Sequence, residues 1–256
     1  MKTRIITAIL LILVLAPTMY FAGIPFSILS LIFGYLAGYE IVRLFDEGCP
    51  KWIRTVIPVI FGLSALAMNY LGYYVTGAIG IFLLFLLILL VWNEEIHFDE
   101  IGIVFMVYVF VTIVVLTVVR LHVINPWIIF LVLFATYFTD TFALFGGMAF
   151  GKHKLNERIS PNKTIEGSVC GYIMGAVISL VFGFIVLKDV NNAFIIACSL
   201  IMPLTGQMGD LAFSAIKRYF KVKDFGNIFP GHGGVLDRID SALFNITVAW
   251  ILSNLL

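Results

Sequence analysis

Apolar stretches follow one another along almost the whole chain, separated by short polar breaks. A helix needs about 20 mainly apolar residues to cross a bilayer. Nine stretches are candidates, at about 5–22, 24–39, 55–72, 73–92, 101–119, 126–145, 167–187, 193–213 and 236–256. The pattern predicts an all-α integral membrane protein with about nine transmembrane helices, since a helix satisfies its own backbone groups in lipid. The first two spans, and the third and fourth, are joined by very short turns such as Ala22-Gly23. Lys2 and Arg4 precede the apolar run 5–16 as they would in a secretory signal, but no small-x-small cleavage site follows. This segment reads as the first membrane helix.

The charges between the spans set the orientation. With the N-terminus in the cytoplasm, the cytoplasmic segments hold Lys2, Arg4, Arg43, Lys51, Arg54, Lys152, Lys154, Arg158, Lys163, Lys217, Arg218, Lys221, Lys223 and Arg238. Of the 16 Lys and Arg, the far side keeps only Arg120 and Lys188. This is the asymmetry of the positive-inside rule. The acidic loop 93–100 does not overturn it, because acidic residues weigh little in topology. Trp52, Trp92 and Trp127 fall near span ends, as an aromatic belt does.

Composition agrees with this picture. The chain of 256 residues is 61% hydrophobic and 12% charged, against about a quarter charged in soluble domains. Cys49, Cys170 and Cys198 are widely spaced, which gives neither a disulfide framework nor a zinc pattern. Residues 1–125 read as a transmembrane scaffold. Residues 126–256 read as the region that carries the chemistry, with two cytoplasmic polar loops at 146–166 and 218–236.

Polar chemistry concentrates in residues 210–240. Asp210, Ser214, Lys217 and Lys221 stand at i, i+4, i+7 and i+11 and share one helical face. Lys223, Asp224 and a glycine-rich run, 226–234, follow. Glycine lets backbone approach a ligand and presents N–H groups to anions. Asp237 and Asp240 then sit at i and i+3 at the start of the last helix. Carboxylates inside membrane helices are costly and usually functional. Clustered carboxylates hold Mg²⁺ through oxygen, and Lys and Arg neutralise phosphate, so the block suggests substitution at phosphorus. Asp140, between Thr139 and Thr141, is a further intramembrane carboxylate. The run 146–153, GGMAFGKH, ends in His153 where a P-loop needs Ser or Thr, and no strand precedes it. A P-loop is therefore rejected, although Lys152 stays within reach of a phosphate role.

Ser214-Ala215-Ile216-Lys217-Arg218, then Lys223-Asp224, then Pro230-Gly231-His232-Gly233-Gly234-Val235-Leu236-Asp237-Arg238-Ile239-Asp240 resembles the signature of the phosphatidate cytidylyltransferase (CDP-diacylglycerol synthase) family. Upstream, Asp140 with Gly146, Gly147, Phe150, Gly151 and Lys152, and then Ser160 to Gly167, is similar to a second stretch of that family. The resemblance covers about residues 136–241.

It implies a membrane enzyme that makes CDP-diacylglycerol and pyrophosphate from CTP and phosphatidate for phospholipid synthesis. Asp210, Asp237 and Asp240 would hold Mg²⁺, with a second metal or a monovalent cation left open. Lys217, Arg218, Lys223 and Arg238 would bind phosphates, and Lys217 counts among the catalytic groups. Asn162, Lys163 and Thr164 would line the same cavity, joined by Asp140, Ser214 and Asp224. His232 either orders its loop or touches phosphate. The family resemblance further implies a homodimer in the cytoplasmic (inner) membrane, with its active site facing the cytoplasm and no nucleic-acid partner. The same chemistry on an isoprenoid ether lipid phosphate, and an ion-coupled secondary transporter using Asp140, Asp210 and Asp240, are the alternatives. The aspartate-rich motif of CDP-alcohol phosphotransferases is not present in the sequence.

Overall fold

A computed structural model describes residues 15–45, 49–228 and 233–256. Residues 15–21 are helical, and residues 5–14 of the predicted first span lie outside the described residues. Eight long helices follow: α1 (Gly23–Val42), α2 (Lys51–Met68), α3 (Val75–Trp92), α4 (Phe98–Ile124), α5 (Trp127–Phe150), α6 (Ile165–Val186), α7 (Asn192–Tyr219) and α8 (Leu236–Leu255). Among the described residues, seven helical segments, α1 to α7, are long and apolar enough to cross a membrane, the third counted with the 3₁₀ turn Gly72–Tyr74. α8 carries Asp237, Arg238 and Asp240 in its first turns. The architecture is that of an all-α membrane protein with one small hairpin.

The chain divides into two compact units. The first comprises Met1–Val119 and Asp224–Arg238, the second Arg120–Lys223 and Ile239–Leu256. The division therefore groups part of the C-terminal polar block with the apolar first half.

In the first unit, Ala22 (φ 49°) and Gly23 (φ 62°) are both left-handed and make the short turn into α1. α1 and α2 pack through small residues. A Cβ at Gly34 would stand 2.7 Å from the carbonyl oxygen of Phe61, and one at Gly62 would stand 3.1 Å from that of Leu31. Close backbone approach of this kind is how helices associate where lipid removes the hydrophobic drive. Phe61, Phe82 and Tyr108 cluster in the buried interior, with ring centroids 4.0 to 5.7 Å apart. The Tyr108 hydroxyl donates to Ser64 Oγ at 2.8 Å, so the polar tip of that ring is satisfied.

In the second unit, α5 and α6 form the tightest pair. Gly167, Gly171 and Gly175 recur every four residues on α6 and face α5. A Cβ at Gly171 would stand 2.5 Å from the Thr139 carbonyl oxygen. The two helices are joined by an antiparallel hairpin, β1 (Lys154–Asn156) and β2 (Ser160–Thr164), with Lys154 opposite Thr164 and Asn156 opposite Ser160. Thr164 closes the hairpin and caps α6, its Oγ1 accepting from Gly167 N at 3.1 Å. Asn191 does the same for α7, its Oδ1 accepting from Ala193 N at 2.9 Å.

The polar loop expected at 146–166 is thus shorter than the sequence suggests. Helix α5 continues to Phe150, the hairpin occupies Lys154 to Thr164, and α6 begins at Ile165. α7 likewise runs to Tyr219, so the stripe of Asp210, Ser214 and Lys217 belongs to one continuous helix.

Candidate active site

The second unit brings together several side chains that the sequence singled out. Asp210 lies on α7 and Ser214 one turn later, where its hydroxyl donates to Asp210 Oδ1 at 3.2 Å. The other carboxylate oxygen, Oδ2, accepts from Lys163 Nζ on β2. The hairpin thereby delivers an ammonium group to a carboxylate 47 residues further along the chain. Lys217 continues the stripe and is buried, an expensive place for a cation unless charges answer it. Asp240, on α8, is buried too and accepts from Ser241 N at 2.8 Å. The charges of Asp210, Lys217 and Asp140 all act on it. Asp140 is half-buried on α5. Three carboxylates and two ammonium groups therefore share one polar neighbourhood built from α5, β2, α7 and α8.

Other predicted residues have different work. Arg218 donates to backbone carbonyls, to Ile159 at 3.3 Å and to Val222 at 2.9 Å, which ties the hairpin turn to the end of α7. The Thr164 hydroxyl oxygen is the cap of α6. Asn162 is exposed beside Lys163, and Lys223 is exposed beyond α7. In the first unit Asp224 and Arg238 are exposed. Asp237 is buried there, and its Oδ2 accepts from Phe225 N at 2.8 Å and from Gly234 N at 2.9 Å. His232 lies outside the described residues.

Some residues that shape this region gave no sequence signal. Gln207, one turn before Asp210, receives the Ser168 hydroxyl and donates to Pro203 O at 3.1 Å, linking α7 to α6. Asn245 is fully buried on α8. It accepts from Thr205 Oγ1 at 2.7 Å and donates to Thr136 Oγ1 at 2.8 Å, which joins α5, α7 and α8. Glu166 accepts from the backbone of Lys152 at 3.1 Å and His153 at 3.2 Å, and meets His153 Nδ1 at 2.6 Å.

Among the described residues, no three His, Cys, Asp or Glu side chains are grouped so as to hold a metal by themselves. Asp210 and Asp240 nevertheless fit a hard divalent ion. They offer only oxygen donors, and the neighbourhood carries more carboxylates than ammonium groups. Mg²⁺ is commonly held by one or two carboxylates, with water and substrate phosphate completing its shell.

The sequence profile described as Cytidylyltransferase family matches residues 2–256. The chain belongs to the cytidylyltransferase family. A relative in that family, the phosphatidate cytidylyltransferase of Bacillus subtilis (strain 168), is 32% identical over 267 residues, covering 98% of this chain and 97% of its own length. Phosphatidate cytidylyltransferases of Staphylococcus haemolyticus (strain JCSC1435) and Staphylococcus aureus (strain COL) are each 46% identical over 116 residues, 45% of either chain.

Proposed function

We propose that the protein transfers a cytidylyl group from CTP to phosphatidate, giving CDP-diacylglycerol and pyrophosphate for phospholipid synthesis. The observation that carries this is the near full-length similarity to a phosphatidate cytidylyltransferase, joined to a Lys163–Asp210 pair inside a cluster of acidic and basic groups. An oxygen of the lipid phosphate attacks the α-phosphorus of CTP. The bond from that phosphorus to the bridging oxygen breaks, and pyrophosphate leaves with the electron pair. A phosphate monoester has a second pKa of about 6 and is already a dianion near neutral pH. The acceptor therefore needs no dedicated general base.

In this reading Lys163 and Lys217 turn toward the triphosphate, and Lys223 and Arg238 supply further positive charge to phosphate oxygens. Ser214 holds Asp210 in place. Arg218 fixes the hairpin against the end of α7, which keeps Asn162, Lys163 and Thr164 beside the site. Mg²⁺ is assigned to Asp210, Asp237 and Asp240, and it would offset charge on the phosphates during transfer. The structural support for that set comes from Asp210 and Asp240. Asp237 enters it as the residue one turn before Asp240 on α8. The charge asymmetry of the sequence supports nine crossings, an N-terminus in the cytoplasm and an active site facing the cytoplasm, in an inner membrane. A homodimer is part of the same proposal.

The test is release of pyrophosphate by the purified full-length chain in detergent, given CTP, phosphatidate and Mg²⁺. Release should depend on the lipid and on the metal. Full activity in both Asp237→Asn and Asp240→Asn would remove these residues from the metal set.

A further inference from the structure

Glu40, near the end of α1, is completely buried. A carboxylate in such a place must be matched by donors. Its donors are backbone groups 195 and 196 residues away: Val235 N reaches Oε1 at 2.7 Å and Leu236 N reaches Oε2 at 2.9 Å. These are the residue before α8 and the first residue within it. The opening N–H groups of a helix have no partner in the helix itself, and the positive end of the helix favours an anion.

The preceding N–H, that of Gly234, goes to Asp237 Oδ2, which also holds Phe225 N. Three successive N–H groups, 234 to 236, thus close on two carboxylates. Glycine makes the fit possible. A Cβ at Gly226 would stand 2.7 Å from Glu40 Oε1, and one at Gly234 would overlap the same carboxylate. Gly233 is left-handed, at φ 83°, and turns the chain into this arrangement.

We infer that Glu40 is a positioning residue for the reaction, clamping the backbone of Val235 and Leu236 so that Asp237 is presented in one orientation at the start of α8. This rests on the proposed function, in which Asp237 belongs to the metal set. Glu40 acts through the N–H groups of Val235 and Leu236, which follow the Gly234 N–H that Asp237 holds. A residue of the apolar first half thereby becomes part of the catalytic apparatus. Glutamine keeps the size of Glu40 but sets an NH₂ group against one of the two N–H donors. Aspartate keeps the charge but shortens the reach.

The experiment compares full-length wild type, Glu40→Gln, Glu40→Asp and Glu40→Ala in one detergent, with two readouts. The first is hydrogen exchange at residues 225–237 without metal or nucleotide. The second is cytidylyl transfer to phosphatidate across a Mg²⁺ titration. Outer residues that orient metal ligands typically change affinity or activity about 10- to 100-fold. Glu40→Gln should exchange faster at 233–237, lose kcat in that range and need more Mg²⁺ for half-maximal rate, with KM for CTP moving less. Glu40→Asp should recover part of each effect. Glu40→Ala is the variant most exposed to misfolding, so Glu40→Gln and Glu40→Asp carry the decision. Wild-type exchange in Glu40→Gln would overturn the inference. Faster exchange with kcat and the Mg²⁺ midpoint unchanged would also overturn it, leaving Glu40 a purely structural role. A wild type that makes no CDP-diacylglycerol sinks the proposed function and the inference together, whereas an active wild type with a fully active Glu40→Gln sinks the inference alone.

Discussion

Lys163→Met asks whether the ammonium group facing Asp210 belongs to the substrate once substrate is present. In the structure Lys163 Nζ meets Asp210 Oδ2, and the two side chains are 31% and 25% exposed. Two unit charges about 4 Å apart attract by about 4 kcal/mol at an effective dielectric constant near 20. Desolvation and partial exposure remove most of that, and solvent-exposed pairs net about 0.2–1 kcal/mol. Loss of Lys163 leaves Asp210 with the Ser214 hydroxyl at 3.2 Å and the charge of Asp240 nearby. Folding stability should therefore fall by about 1 kcal/mol, equivalent to about 2–4 °C in Tm for a chain of this size.

Turnover should suffer more. A hydrogen bond to a charged group contributes about 1.5–3 kcal/mol, which corresponds to about 10- to 100-fold in rate. The assay varies CTP at saturating phosphatidate and Mg²⁺, with thermal unfolding followed in the same detergent. kcat/KM for CTP should fall by that factor while Tm moves only a few degrees. A kcat/KM within about twofold of wild type would refute the assignment, because a removed phosphate contact must appear there.

Other expectations follow from packing and hydrogen bonding. Gly171→Val drives a side chain into the Thr139 carbonyl, 2.5 Å from the added Cβ, and should cost about 1–3 kcal/mol or more in thermal unfolding. Gly80→Ala, where nothing lies within 4 Å of the added Cβ, should leave Tm in place. Asn245→Ala removes the partner of Thr205 and Thr136. Hydrogen bonds between membrane helices average about 0.6 kcal/mol and reach about 1.7, so unfolding should show a loss of about 1–3 kcal/mol once lost packing is included. Glu166→Gln loosens the grip on Lys152 and His153, and limited proteolysis should cut the hairpin connection faster than in wild type.

Helix α7 shows how much of the molecule was readable in the sequence. The spacing put Asp210, Ser214, Lys217 and Lys221 on one face; the helix carries the first three, whereas Lys221, left-handed at φ 56°, lies beyond its end at Tyr219. Its apolar pattern faded near residue 213, however, and the span was expected to stop there. The polar stripe that ended the hydropathy signal lies on the same helix. The hairpin left no such trace. Lys154-Leu155-Asn156 and Ser160-Pro161-Asn162-Lys163-Thr164 are poor in β-branched and aromatic residues, which are the usual strand signal. Their pairing is fixed by tertiary bonds, from Arg218 to Ile159 O and from Lys163 to Asp210.

Long-range partners were the least legible feature. Glu40 is one acidic residue at the end of an apolar span, and nothing local to it points to Val235 and Leu236. Gln207 and Asn245 look like ordinary polar interruptions until α6, α7 and α8 are packed. The signal that could have flagged all three is energetic: polar side chains within apolar helices require partners.

The most direct measurement uses CTP labelled at its α-phosphorus, incubated with the purified full-length protein, phosphatidate and Mg²⁺, and followed into the lipid phase. Label should enter a lipid with the properties of CDP-diacylglycerol. Label at the γ-phosphorus should stay in water as pyrophosphate, and chelating the metal should stop both lipid labelling and pyrophosphate release. If the α-label stays in water with phosphatidate present, or if γ-label reaches the lipid, cytidylyl transfer is not the reaction.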